Sequence, residues 1–174
     1  MNNIDKIIIK KWEPVIESFF NYKNKILTEH ICNYCEWHSL SYYDSRNAND
    51  LTDKLNEINT QLNILKESSL DEKEAYEGTL LMKKSGLVAN AKEKLSLFKT
   101  GRMKLEASIS KDTKNAEYRF LRIIIQEHAP KIVKYRNELE ADSRLILDNY
   151  KNLPQFLQQV INDYSKKSKV LKNL

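Results

Sequence analysis

The sequence predicts an all-α protein: a small N-terminal helical cluster followed by long antiparallel helices in a hairpin or bundle. Three observations carry this. The chain of 174 residues holds only 3 glycines and 3 prolines, where average usage would give roughly a dozen and nine. Sheets need both residues at tight turns, so few of them means few turns and long elements. Leu51, Leu55, Ile58, Leu62 and Leu65 recur at alternating steps of four and three, the seam of a helix packed lengthwise on another. The prolines, Pro14, Pro130 and Pro154, stand where helices begin, since a first-turn proline lacks only an N–H that would be unpaired anyway.

The totals bound the rest. A hydrophobic fraction of 41% with 30% charged residues is somewhat polar for a globule and too apolar for a disordered chain. The length fits one domain, or a small domain with an arm. A net charge of +5 is mild and is explained by solubility alone. Two cysteines, Cys32 and Cys35, make no disulfide framework, and free thiols fit a reducing compartment. The apolar start of "MNNIDKIIIKKW" is too short for a signal peptide, and no run approaches the ~20 apolar residues of a membrane span. The expectation is a protein kept inside a cell, or inside a particle assembled there, with no membrane contact.

Three units follow in order. Residues 1–46 hold both tryptophans, both cysteines and an aromatic-rich texture. A helix opens at Pro14 and sets Val15, Ile16, Phe19 and Phe20 beside Trp12; a second, over 25–41, turns Ile31, Tyr34, Cys35 and His38 to one side. Residues 47–165 form the long-helix bundle or hairpin. The leucine seam comes first, then Ser69-x-x-Glu72 reads as a capping box for the next helix. Gly78, Gly86 and Gly101 mark breaks or the close approach of another chain. "YRFLRIIIQ", 118–126, is rich in β-branched residues, but a lone strand has no partner, so helix is preferred. Ala129-Pro130 starts a helix carrying Ile132, Tyr135, Leu139, Ile146 and Tyr150, and Pro154 starts a short last one. Residues 166–174, with Lys166, Lys167, Lys169 and Lys172, form a basic tail that frays.

Chemistry-bearing residues are few. His30, Cys32, Cys35 and His38 are zinc-ligand types, and Cys32, Cys35 and His38 are the candidate metal set. Three ligands from mid-helix need a fourth from elsewhere, so packing among Ile31, Tyr34 and Trp37 is the preferred account; no metal and no cofactor are expected. Cys35 with His38, or Cys32 with His128, pairs a thiol with an imidazole, but so few glycines leave little room for an oxyanion hole. Acid pairs such as Glu138/Glu140 and Asp71/Glu72 read as solvated helix faces. No phosphate-loop, dinucleotide or HExxH motif occurs. A non-enzymatic protein is expected.

Two binding readings remain. Lys83, Lys84, Lys92, Lys94, Lys99, Arg102 and Lys104 face one acid, Glu93, over 83–104. With the tail lysines they offer a nucleic-acid contact, although on a helix they spread around the axis and Phe98 is the sole aromatic among them. Trp12, Val15, Ile16, Phe19 and Phe20 form a compact apolar anchor, which either docks a partner, as buried tryptophans often do, or packs this protein's own bundle.

"IIIKKWEPVIES" followed by "ICNYCEWHSL", residues 7–40, resembles the extreme N-terminus of head proteins of some tailed phages. The likeness rests on Trp12 after lysine, Pro14-Val15-Ile16-Glu17, and a second helix ending in Tyr34, Cys35 and His38. The rest departs from that pattern, because no large α/β shell domain fits in the remaining helical residues. The resemblance therefore implies a smaller head-associated virion component, assembled in the host cytoplasm, whose partners are other virion proteins or copies of itself.

Overall fold

The computed structural model describes residues 48–172, and the helices expected in 1–46 lie outside them. Among the described residues the fold is all-α. Its helices are α1 Ala48–Glu67, α2 Lys73–Leu87, α3 Ala91–Lys111, α4 Ala116–His128, α5 Leu139–Asn149 and α6 Gln155–Ser165, with short 3-10 turns at Lys131–Val133 and Tyr150–Asn152.

The first three helices form a layer with α2 between α1 and α3. α1 runs antiparallel to α2: Lys73 Nζ donates to the Lys66 carbonyl at 2.6 Å near the connection, and Lys84 Nζ to Asn59 Oδ1 at 2.7 Å further along. α2 and α3 form a tight antiparallel hairpin. Asn90 caps α3, its Oδ1 accepting from the amides of Lys92 at 2.9 Å and Glu93 at 3.1 Å, which satisfies donors that the helix start leaves open. The close approach anticipated at the glycines occurs within the chain, Gly78 of α2 against Gly101 of α3.

α4 is the central helix. Ten of its thirteen residues are buried, including Phe120, Ile123, Ile124 and Ile125. Packing on nearly every side stabilises it as a helix, since helices in proteins draw most of their stability from tertiary burial, which is why the β-branched run 118–126 is helical despite its strand-like composition. Asn115 opens it, Oδ1 accepting from the Tyr118 amide at 3.2 Å. Facing it, α5 buries Asp142, Ser143 and Ile146, and α6 buries Leu157, Val160, Ile161 and Tyr164, starting after Pro154 as expected. The Tyr164 ring meets Phe120 edge-on at 5.5 Å between centroids.

Three expectations are corrected. The capping box at Ser69 does not form: Leu70 is buried, residues 70–72 turn to bury it, and α2 starts at Lys73 with Glu72 making no side-chain cap. No helix runs from Pro130 to Tyr150. Lys134 takes the left-handed conformation, φ 47°, and Tyr135 turns inward and is buried while Ile132 is left exposed. The side chain of Arg136 then closes the end of α4, donating to the Ala129 carbonyl at 2.7 and 3.1 Å. The tail does not fray between Ser168 and Leu171. Leu171 is fully buried, and the Ser168 hydroxyl donates to Glu127 Oε2 at 2.9 Å while accepting from the amides of Val170 and Leu171.

Candidate functional site

The docking anchor Trp12, Val15, Ile16, Phe19 and Phe20, and the candidate metal set Cys32, Cys35 and His38 with His30, lie outside the described residues. Of the seam, Ile58, Leu62 and Leu65 are buried, Leu55 packs half-buried against the core, and Leu51 is 44% exposed. The core-facing part is where α2 runs alongside; α1 is 20 residues and α2 is 15, so its first turns overhang.

The basic stretch divides into two sets. Lys104 reaches across the hairpin to Glu74 Oε2 and Glu77 Oε2, both at 3.0 Å. Burial opposes its charge, but the two carboxylates outweigh it and hold the amine above its ordinary pKa. Lys84 is held by Asn59. Lys83 lies against α1, where burial, offset partly by Glu57 and reinforced by Lys54, lowers its pKa to about 8. These three serve the interior. Lys92, Lys94 and Lys99 are exposed on α3 and make no ion pair among the described residues. Arg102, also exposed, lies 4.7 Å over the Tyr135 ring.

Sequence reasoning missed the main polar cluster. Arg122 is gripped in bidentate fashion by Asp142, Nε to Oδ2 and Nη2 to Oδ1 both at 2.7 Å, and its Nη1 donates to Glu106 Oε2 at 2.8 Å. The Tyr135 hydroxyl donates to Glu106 Oε1 at 2.5 Å, and Arg119 adds a 3.3 Å contact to Asp142 Oδ1. Burial would depress the guanidinium of Arg122, but Asp142 and Glu106 raise it above its ordinary value. The Tyr135 hydroxyl is pushed up by burial and then by Glu106. The cluster ties α3, α4, the 134–138 linker and α5 together; the Nε of Arg119 is buried without a hydrogen-bond partner among the described residues. Two arginines inside the apolar run 118–126 were the available signal: a buried arginine needs a carboxylate.

Glu127 is a second missed residue. It accepts from the Tyr164 hydroxyl at 2.7 Å, from Ser168 Oγ and from the Lys169 amide at 2.7 Å, so it fastens the C-terminal segment to α4. His128 is half-buried; its Nδ1 donates to the Ile124 carbonyl at 2.8 Å and its ring meets Tyr164 edge-on. In the remaining acid pairs Glu138, Glu140 and Asp71 are exposed and Glu72 half-buried, and Glu140 pairs with Arg144 at 2.5 Å along its own helix. Among the described residues no group of three His, Cys, Asp or Glu is placed to hold a metal ion, and no helix is long and apolar enough to cross a membrane.

What stands outward is a different set of side chains. Leu95 is 66% and Met103 62% exposed on α3, beside Lys92 and Lys99. At 3.6 residues per turn these four share an arc of about 80°, a mixed apolar and basic stripe. No family model, no curated protein and no solved structure matches the chain.

Proposed function

We propose that this protein is a non-enzymatic assembly component that acts through helix-face contacts with other proteins. On the resemblance of residues 7–40, we propose further that it is a head-associated component of a tailed-phage virion. The observation that supports the contact role is the division of the lysines and apolar side chains. Lys83, Lys84 and Lys104 are tied to α1 and α2, whereas Lys92 and Lys99, without a partner carboxylate among the described residues, and the largely exposed Leu95 and Met103 face outward on one side of α3. Exposed leucine and methionine in that pattern suit a protein surface, since apolar area gains nothing against water.

The test is whether the protein co-purifies with virions at a fixed ratio to the shell subunit. Under this reading it does, and Trp12→Ala reduces incorporation. Absence from purified particles overturns the virion assignment.

Nucleic-acid binding is the second reading, favoured by the exposed Lys92, Lys94 and Lys99 together. It requires DNA affinity that falls steeply with salt and is lost when Lys92, Lys94 and Lys99 are changed to glutamine; Lys104, held by Glu74 and Glu77, is left in place.

A further inference from the structure

The three-helix layer ends on two faces of opposite character. On one flank, α3 presents Lys92, Leu95, Lys99 and Met103, all exposed. On the other, α1 presents Asp53, Thr60, Ile64 and Glu67, also exposed, with Ile64 at 38%. At 100° per residue the α1 set falls within an arc of about 60°, centred away from the seam residues Ile58, Leu62 and Leu65. It carries acids, one apolar residue and no base.

The two stripes also match in length. Residues 92–103 of α3 span about 17 Å and residues 53–67 of α1 about 21 Å, at 1.5 Å rise per residue. Neither Asp53 nor Glu67 makes an ion pair among the described residues, and the same holds for Lys92 and Lys99.

The position of Lys92 adds an independent argument. It sits with Lys94 in the first turn of α3, where Glu93 is the single acid between two cations, at the positive end of the helix dipole, where cations are unfavourable and anions are favoured. A carboxylate delivered from outside relieves that repulsion.

We propose that the chain self-associates head-to-tail, with the basic outer face of α3 on one copy packing against the acidic outer face of α1 on the next. This names the partner within the assembly reading above and rests on it. Because α1 and α3 flank α2, a neighbour docked in this way continues the helical layer. The contact joins two different faces, so it is heterologous and repeats from copy to copy, closing into a ring or extending as a filament. A membrane is the poorer occupant, because four charges interrupt the two stripes. A nucleic acid would meet the lysines but leave Leu95 and Met103 against phosphate.

The experiment is sedimentation velocity on the full chain over a range of concentrations, at about 0.05 M and about 1 M salt. Association should rise with concentration and weaken at high salt. The variants K92E/K99E and D53K/E67K, which change only exposed positions, should each weaken association by at least about tenfold, as reversal of complementary charges does. Combining all four substitutions in one chain should restore it, because both faces are then reversed together. Circular dichroism checks that each variant keeps its helices. A wild-type chain that stays monomeric, a K92E/K99E variant that associates like wild type, or a folded four-fold variant that fails to recover overturns the proposal. Monomeric protein that binds duplex DNA through the same lysines overturns it in favour of a polyanion. Monomeric protein that still co-purifies with virions overturns self-association and leaves the assembly role standing, so the two failures are distinguishable.

Discussion

Gly78 and Gly101 touch across the α2–α3 hairpin, backbone against backbone. A Cβ on Gly78 would lie 2.6 Å from the Gly101 carbonyl oxygen and 2.8 Å from the Leu105 amide nitrogen; one on Gly101 would lie 2.8 Å from Met82 Cγ. Two helices can approach this closely only where neither carries a side chain. Gly101→Ala should therefore destabilise the protein by about 2 kcal/mol, the overpacking outweighing the ~1 kcal/mol that alanine contributes to helix propensity. Gly86→Ala is the control. Gly86 is exposed in α2 with an ordinary backbone, and its replacement should be neutral or stabilising. Urea unfolding of the two variants separates them; equal stability would mean that the hairpin is not this close.

Among the described residues, Arg122 and Asp142 form the one ion pair with both side chains buried. The two side chains are 5% and 1% exposed. Removing one partner strands the other away from water, so Asp142→Ala should cost about 3–5 kcal/mol. The double variant R122M/D142L should be more stable than Asp142→Ala alone, because the buried guanidinium of Arg122 is then no longer stranded without its carboxylate. Denaturant titration of the single and double variants checks this, and a double variant that is the less stable of the two would show that the pair contributes more than mutual compensation.

Lys83 gives the pH dependence a distinctive shape. Burial lowers its pKa from 10.5 to about 8 in the fold, so between those values the unfolded chain holds a proton that the folded chain has released. Stability should rise with pH as Lys83 loses its charge above pH 8. Tyr118 acts in the opposite direction, its hydroxyl pushed up to about 12 by burial and then by Glu72. Above pH 10 the unfolded tyrosine ionises while the folded one does not, so stability falls again, and Tyr135 steepens the fall. Thermal melts from pH 7 to pH 11 should show the rise and then the fall, and Lys83→Met should abolish the rise alone. A Lys83→Met variant that keeps the rise would place its origin elsewhere.

The C-terminal segment should behave as part of the core. Leu171 is fully buried, and Glu127 holds Ser168 and the Lys169 amide. Leu171→Ala should cost about 2–4 kcal/mol, the range for emptying a buried leucine site, and should open the segment to proteolysis after Lys167. Amide hydrogen exchange localises the change; unprotected amides at Val170 and Leu171 in the wild type would contradict the docking.

The helical class was legible because it follows from local chemistry. Scarce glycine and proline leave long elements, and the periodicity of Ile58, Leu62 and Leu65 sets which face of α1 turns inward. The same logic failed at the ends of elements. Leu51 belongs to the seam by spacing, yet burial requires a neighbour, and how far α2 extends is not written in α1. The seven basic residues over 83–104 are one group by composition; which of them meet Glu74, Glu77 and Asn59 and which stand free on α3 depends on the hairpin register.

The sequence by itself determined that the chain is helical, that the run 118–126 is helix and not strand because a lone strand has no partner, and that Pro154 opens an element. Only the tertiary structure decided that Gly78 meets Gly101, that Tyr135 leaves its expected helix to reach Glu106, that Arg122 finds Asp142, and that the basic tail is anchored by Glu127. The reason is the range of the forces. Helix propensity and periodicity act over a few neighbouring residues, whereas a buried charge or a bare backbone is satisfied by whatever the packing of distant segments brings against it.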